Sequence, residues 1–239
     1  MRKFAVFDID GTLIRWQLYH AMADALAAKG FIDADEYQAM RHARMGWKKR
    51  SGTSFKDYEK LVIEIYEKIL MTLSFEQLDA AVDAVFNEYK DQIYTYTRDL
   101  IAKLKKDSYM LFAISGSQSE IISRVSAHYG FDDFVATVYE RKGAGFSGAK
   151  TIGSHDKDKA LKELVAKHSL SYKGSVGVGD GRSDVAMLKL VERPIAFNPE
   201  SSLFEYAEEQ GWKIVIERKN MIYELESKDG KYQLVKTNS

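Results

Sequence analysis

Residues 4–13 read FAVFDIDGTL, and this stretch decides the fold. Four apolar residues run into Asp8-Ile9-Asp10 and stop at Gly11-Thr12. A short apolar run closed by turn residues reads as a buried strand, here 4–9. Asp8 and Asp10 are two residues apart, so in extended backbone their side chains face the same way. Two carboxylates sharing one space repel, which raises a pKa unless a cation binds.

Downstream the pattern changes period. Residues 16–92 read as helical throughout. Tyr58, Leu61, Val62, Ile65, Tyr66, Ile69 and Leu70 keep an i, i+3, i+4, i+7 spacing, and Leu78, Ala81, Val82, Val85, Phe86 and Tyr89 form a second stripe. After a helix at 98–106, strands and helices alternate. Strands are expected at 109–114, 134–139, 174–178, 194–197 and 213–216, with helices at 120–128, 157–168 and 185–191. Residues 140–153 read as a loop or hairpin. The tail offers strands at 221–226 and 232–236 around Asp229-Gly230, a hairpin signal. Alternation of this kind implies a parallel α/β sheet with right-handed crossovers. The helical stretch is too long for an ordinary connection, so it reads as an inserted second domain over the C-terminal edge of the sheet. The expected division is an α/β core of 1–14 and 93–239 with a helical insert of 15–92.

Composition bounds the chemistry. The 239 residues carry 35 Lys+Arg, 35 Asp+Glu and no Cys. The absence of Cys excludes a disulfide scaffold, a thiolate zinc site and a cysteine nucleophile. Balanced charge argues against a nucleic-acid or membrane-surface partner. The apolar N-terminal run is too short for a secretory signal and no run of about 18 apolar residues occurs, so a cytoplasmic location is expected.

Polar clusters follow several of the strands. Ser115-Gly116-Ser117 closes one, and its hydroxyl and backbone N–H groups suit either a phosphate or a helix cap, with Ser117 or Ser119 as alternative caps. Lys157 lies three and four residues before Ala160 and Leu161, on the inward face of its helix, whereas Lys159 shares a solvent stripe with Lys162, Glu163 and Ala166. His168 reads as a satisfied histidine of the apolar face rather than a ligand. Asp180-Gly181-x-x-Asp184 fits a turn between strand and helix. Its GxGxG follows a late strand and contains acids, which argues against a dinucleotide loop. Oxygen-only ligands suit Mg²⁺.

FDIDGTL (7–13), ISGS (114–117), Lys157 and GVGDGRSD (177–184), in that order, resemble the haloacid dehalogenase superfamily in its phosphatase branch. The surroundings of Lys157 and the segment AFNPESSL…GW resemble its subclass IB, related to phosphoserine phosphatase. The resemblance implies a Rossmann-like core with an inserted helical cap. It implies Asp8 as the nucleophile that becomes an aspartyl-phosphate, and Asp10 as the acid for the leaving alkoxide and then the base for water. It implies Mg²⁺ held by Asp8, the backbone carbonyl of Asp10 and Asp180, supported by Asp184. Ser115, Gly116, Lys157, Gly11 and Thr12 would surround the phosphate. The implied partner is a small phosphorylated metabolite. The implied activity is Mg²⁺-dependent phosphatase, with phosphotransferase or mutase as the alternative and a catalytically silent phosphate-binding regulator as a third; dehalogenation does not suit the second aspartate.

Specificity is left to the cap. Phosphoserine phosphatases place an acid seven residues after the second motif aspartate; here that position is Gln17. Trp16 and Tyr19 suit either stacking on an apolar or quaternary-ammonium group or packing between cap and core. The basic run 41–50, RHARMGWKKR, suits either an anionic substrate or a solvated helix face.

Overall fold

A computed structural model describes residues 2–229 and 231–238. The first strand, β1, is Phe4–Phe7. Five helices follow: α1 Leu18–Ala28, α2 Ala34–Lys48, α3 Phe55–Leu70, α4 Phe75–Tyr89 and α5 Thr95–Lys106. The chain continues through β2 Met110–Gln118, α6 Ser119–Tyr129, β3 Asp133–Lys142, β4 Gly145–Thr151, α7 Lys157–Lys167 and β5 Val176–Gly179. A 3-10 turn, Arg182–Asp184, leads to α8 Val185–Leu188 and β6 Arg193–Phe197. The remainder is α9 Ser201–Gln210, β7 Lys213–Arg218, β8 Met221–Lys228 and β9 Lys231–Asn238.

Among the described residues these strands form one sheet in the order β4-β3-β2-β1-β5-β6-β7-β8-β9. The six strands from β3 to β7 pair in parallel. The expected parallel sheet is therefore extended at both ends, because β4, β8 and β9 pair antiparallel. Short turns cause this: antiparallel strands need only a tight hairpin, whereas parallel ones need a crossover. Residues 140–153 resolve as the β3–β4 hairpin. The tail also forms its hairpin, although Gly230 of its turn lies outside the described residues.

The side-chain alternation of β1 divides the core. Ala5 and Phe7 point into a layer with α5, α6 and the inserted helices, through Leu18, Met22, Tyr58 and Tyr66. Phe4 and Val6 point into the opposite layer with Leu161 of α7, Leu188 of α8 and Leu203 of α9. Helix α9 was not among the sequence expectations; Leu203 and Ala207 alone of its residues are buried, too few to show a clear stripe.

The inserted helices start where their sequences say. Ser54 and Asp57 form a reciprocal capping box on α3, and Ser74 with Gln77 does the same on α4. Helix α1 has no such signal, since its N-cap Gln17 makes no side-chain cap bond. No helix among the described residues is long and apolar enough to cross a membrane.

Candidate active site

The order of crossovers reverses at β1, with β2 on one side and β5 on the other. In open α/β sheets such a reversal leaves a crevice at the carboxyl ends of the strands. Asp8 follows β1, Ser115 lies in the last part of β2, and Asp180 follows β5 directly. Helix α7 adds Lys157 at its first position, where Asp156 caps the helix by accepting from the Lys159 N–H.

Lys157 is buried at 3% exposure, and its ammonium donates to Asp8 Oδ1 at 2.7 Å, Asp184 Oδ1 at 2.6 Å and the Ile114 carbonyl at 3.3 Å. Burial works against that charge, but Asp184 and Asp8 together outweigh it and hold the Lys157 pKa above its usual value. Lys159 is exposed, as its stripe implied.

Asp8 is buried, and its second oxygen, Oδ2, has no hydrogen-bond partner. Burial pushes the Asp8 carboxyl up to about 7; Lys157 opposes the rise, while Asp184 and Asp10 add to it. Burial likewise raises Asp180, helped by the neighbouring charges of Asp8 and Asp184. Asp184 folds back so that its Oδ2 accepts from the N–H groups of Asp180 at 3.0 Å and Gly181 at 2.9 Å. Only glycine fits at position 179 beneath it, where an added Cβ would stand 2.5 Å from the Asp184 side chain.

Asp10 is held differently. Its Oδ2 accepts from Ser115 Oγ at 2.7 Å, and its Oδ1 accepts from Ser117 Oγ at 3.1 Å and from the Leu18 N–H at 2.6 Å. Burial raises its pKa, opposed by these donors, with Ser115 foremost. Gly11 turns the chain with φ +84°, and a Cβ there would sit 2.3 Å from Asp180 Oδ2. Thr12 Oγ1 donates to Asp180 Oδ1 at 3.3 Å, and Thr97 Oγ1 fixes the Thr12 carbonyl at 2.9 Å. Gly116 is packed against Ser154, while its carbonyl accepts from Thr137 Oγ1 at 2.7 Å.

The structure thus draws Asp8, Asp10, Gly11, Thr12, Ser115, Lys157, Asp180 and Asp184 into one network. Neither Ser117 nor Ser119 caps α6; Gln118 is its N-cap, without a side-chain bond. Ser117 instead serves Asp10, a role visible in principle from its two-residue spacing to Ser115 on extended chain. Thr97 and the Leu18 N–H come from distant or backbone positions that carry no motif. His168 is satisfied by Asp133 at 2.7 Å.

The site fits a hard divalent cation. Asp8, Asp180 and Asp184 each bring a carboxylate oxygen within 4.8 Å of the others. The free Oδ2 of Asp8 and the raised acids are what a cation would relieve. The carboxylate of Asp10 is already engaged by three donors.

Around the site the packing alternatives resolve. Arg44 stands 5.7 Å and Lys48 5.5 Å from the Trp16 ring, and Tyr19 packs on Tyr66 and bonds Tyr139. Both aromatics are thus engaged within the protein. Every residue of the 41–50 run is exposed or half-buried; Arg44 forks onto both oxygens of Asp24.

Comparison with known proteins agrees with this geometry. A histidinol-phosphatase of Neisseria meningitidis serogroup C is 27% identical over 90% of this chain and 99% of its own length. A phosphoserine phosphatase of Mycobacterium tuberculosis is 24% identical over 88% of this chain and 69% of its own length. A solved phospho-aspartyl intermediate analogue of phosphoserine phosphatase superposes with a TM-score of 0.62 at 19% identity, covering 91% of this chain and 94% of that one. The family model for haloacid dehalogenase-like hydrolases matches residues 5–189, and the chain belongs to that family.

Proposed function

We propose that the protein is a Mg²⁺-dependent phosphatase that hydrolyses a small phosphomonoester through an aspartyl-phosphate on Asp8. The observation that carries this reading is the asymmetry of Asp8: Lys157 holds one oxygen, while the other is buried and unpartnered. A carboxylate held in this way is oriented but not quenched, as a nucleophile must be. Both curated relatives described above are named for phosphatase activity.

In this mechanism Asp8 attacks phosphorus and Lys157 offsets negative charge on the transferring group. Asp10, positioned by Ser115, Ser117 and Leu18, protonates the leaving oxygen and then takes a proton from water. Asp8, the Asp10 carbonyl and Asp180 would hold Mg²⁺, with Asp184 in support; the ion supplies charge neutralisation for the phosphate and the crowded acids. Ser115, Gly116, Gly11 and Thr12 bound the phosphate position. Residues 15–92 act as the cap, over a core of 1–14 and 93–239.

The test is phosphate release from a panel of phosphorylated metabolites, phosphoserine, histidinol phosphate and phosphocholine included, by the wild type and Asp8→Asn. The wild type should release phosphate into water with Mg²⁺ alone, and the variant should be inert while keeping the wild-type circular dichroism spectrum. Near-normal hydrolysis by Asp8→Asn rejects the nucleophile, and turnover only with an added acceptor replaces hydrolysis by phosphotransfer.

A further inference from the structure

The sheet ends in two edge strands, β4 and β9, and among the described residues no strand pairs with the outer side of either. An open edge carries a row of unmet N–H and C=O groups, which proteins guard with charge, Pro or irregular backbone. The β4 edge is guarded: Gly148 stands in the middle of the strand at φ +87°, so the extended line breaks there. The β9 edge is more open. Residues 231–237 read KYQLVKT, with no Pro and charge only at Lys231 and Lys236. Between the two lysines, the adjacent Leu234 and Val235 are 55% and 51% exposed.

The strand is firmly placed. Residues 231–234 form a regular ladder with β8, from Lys231 opposite Lys228 to Leu234 opposite Leu225. The register then slips, so that Lys236 opposes Glu224 and Val235 is the extra residue of a bulge. Lys236 Nζ lies 3.9 Å from Glu224 Oε1, so part of the guarding charge is met within the chain. The Tyr232 hydroxyl ties the strand to α9 by donating to the Ala207 carbonyl at 2.9 Å. Leu234, two residues on, shares that face and lies beside Leu225, which packs on the same core layer.

We propose that β9 is a dimer interface: its outer edge pairs antiparallel with β9 of a second copy, about a two-fold axis at Gln233. The sequence is self-complementary in that register. Gln233 faces its own copy, Tyr232 faces Leu234 and Lys231 faces Val235. Two aromatic–aliphatic cross-strand pairs then form on the α9 face, and two amides meet on the other. No lysine faces a lysine, and the bulge falls at the end of the shared ladder. Long-range charge does not oppose the approach, because 35 Lys+Arg balance 35 Asp+Glu. The acid cluster takes no part, since three strands separate β5 from β9.

The test is sedimentation equilibrium of the full chain at about 100 µM, a concentration that fills even a micromolar interface. The wild type should have twice the mass of one chain. Gln233→Lys sets two lysines against each other on the axis and should reduce the mass to that of one chain; Gln233→Glu should do the same with two carboxylates. Gln233 is exposed, so neither substitution disturbs the core. Mixed in equal amounts, the two variants should pair again, because Lys then faces Glu. A wild type with the mass of one chain overturns the proposal and leaves the edge to an extended segment of another protein. A dimer that persists in either variant lies elsewhere on the surface and overturns it too. Variants that separate but do not pair on mixing overturn the register at Gln233.

Discussion

Asp10 accepts a 2.6 Å hydrogen bond from the backbone N–H of Leu18, the first residue of α1. The helix has no side-chain cap of its own, so a core carboxylate eight residues upstream does that work. The residue proposed for proton transfer is therefore also the anchor of the first inserted helix. A negative acceptor at a helix N-terminus meets both an orphan N–H and the positive end of the helix dipole.

Asp10→Asn keeps an oxygen for Leu18 but loses the acid. It should lower kcat about 10²- to 10⁴-fold with little change in melting temperature. Asp10→Ala removes the anchor as well and should cost about 1 kcal/mol further in stability. Initial rates and urea unfolding of both variants check the separation, and a fully active Asp10→Asn contradicts the proton-transfer role.

Metal should stabilise the fold in a pH-dependent way. Burial raises Asp8 to about 7 and raises Asp180 as well, from an ordinary 3.8. Without a cation, the stability these groups contribute is fully present below pH 3.8 and is lost as pH rises towards 7 and beyond. Mg²⁺ binds the ionised forms, so the melting temperature should rise with Mg²⁺ over EDTA, and by more at pH 8 than at pH 5.5. A shift independent of pH places the ion elsewhere.

Removing the buried cation should be costly. Lys157→Met leaves Asp8 and Asp184 without their partner, and breaking a buried pair on one side costs about 3–5 kcal/mol. Urea unfolding measures that loss in EDTA, and activity with Mg²⁺ measures the phosphate-facing role. A variant as stable as wild type means the two acids are not charged together in the metal-free fold.

His20 makes a different prediction. Its ring is 1% exposed between Tyr58, Phe55 and Trp16, and neither nitrogen has a partner. Burial, helped by Arg44, lowers its pKa to about 4 from 6.5. The unfolded chain then binds the proton first, so stability from this group is present above pH 6.5 and is lost as pH falls towards 4. His20→Phe suits the aromatic surroundings and removes that loss. The melting-temperature difference between variant and wild type should be larger at pH 5 than at pH 8, and an equal difference at both rejects a neutral buried ring.

Much of the core was legible because its signals are local. The apolar run before Asp8 and the 3.6-residue stripes of α3 and α4 each stand in one short window. The inward face of Lys157 could be read from Ala160 and Leu161 for the same reason. What escaped was long-range or carried by backbone. No pattern around Leu18 announces a bond to Asp10, and Thr97 meets the Thr12 carbonyl only because α5 returns beneath the turn. The antiparallel outer strands follow from hairpin lengths rather than from the alternation that suggested a parallel sheet.

The helices and the β3–β4 hairpin meet through Glu67, which accepts from the Tyr139 hydroxyl at 2.9 Å and pairs with Lys150. The two charged side chains are 31% and 30% exposed, so the ion pair contributes at most about 1 kcal/mol. Thermal motion breaks a contact of that strength readily. The ion pairs among Lys157, Asp8 and Asp184 lie in the opposite regime, dry and expensive to disturb. Charge therefore holds this molecule weakly at the hairpin surface and firmly beneath the acid cluster, and salt or heat loosens the first contact long before the second.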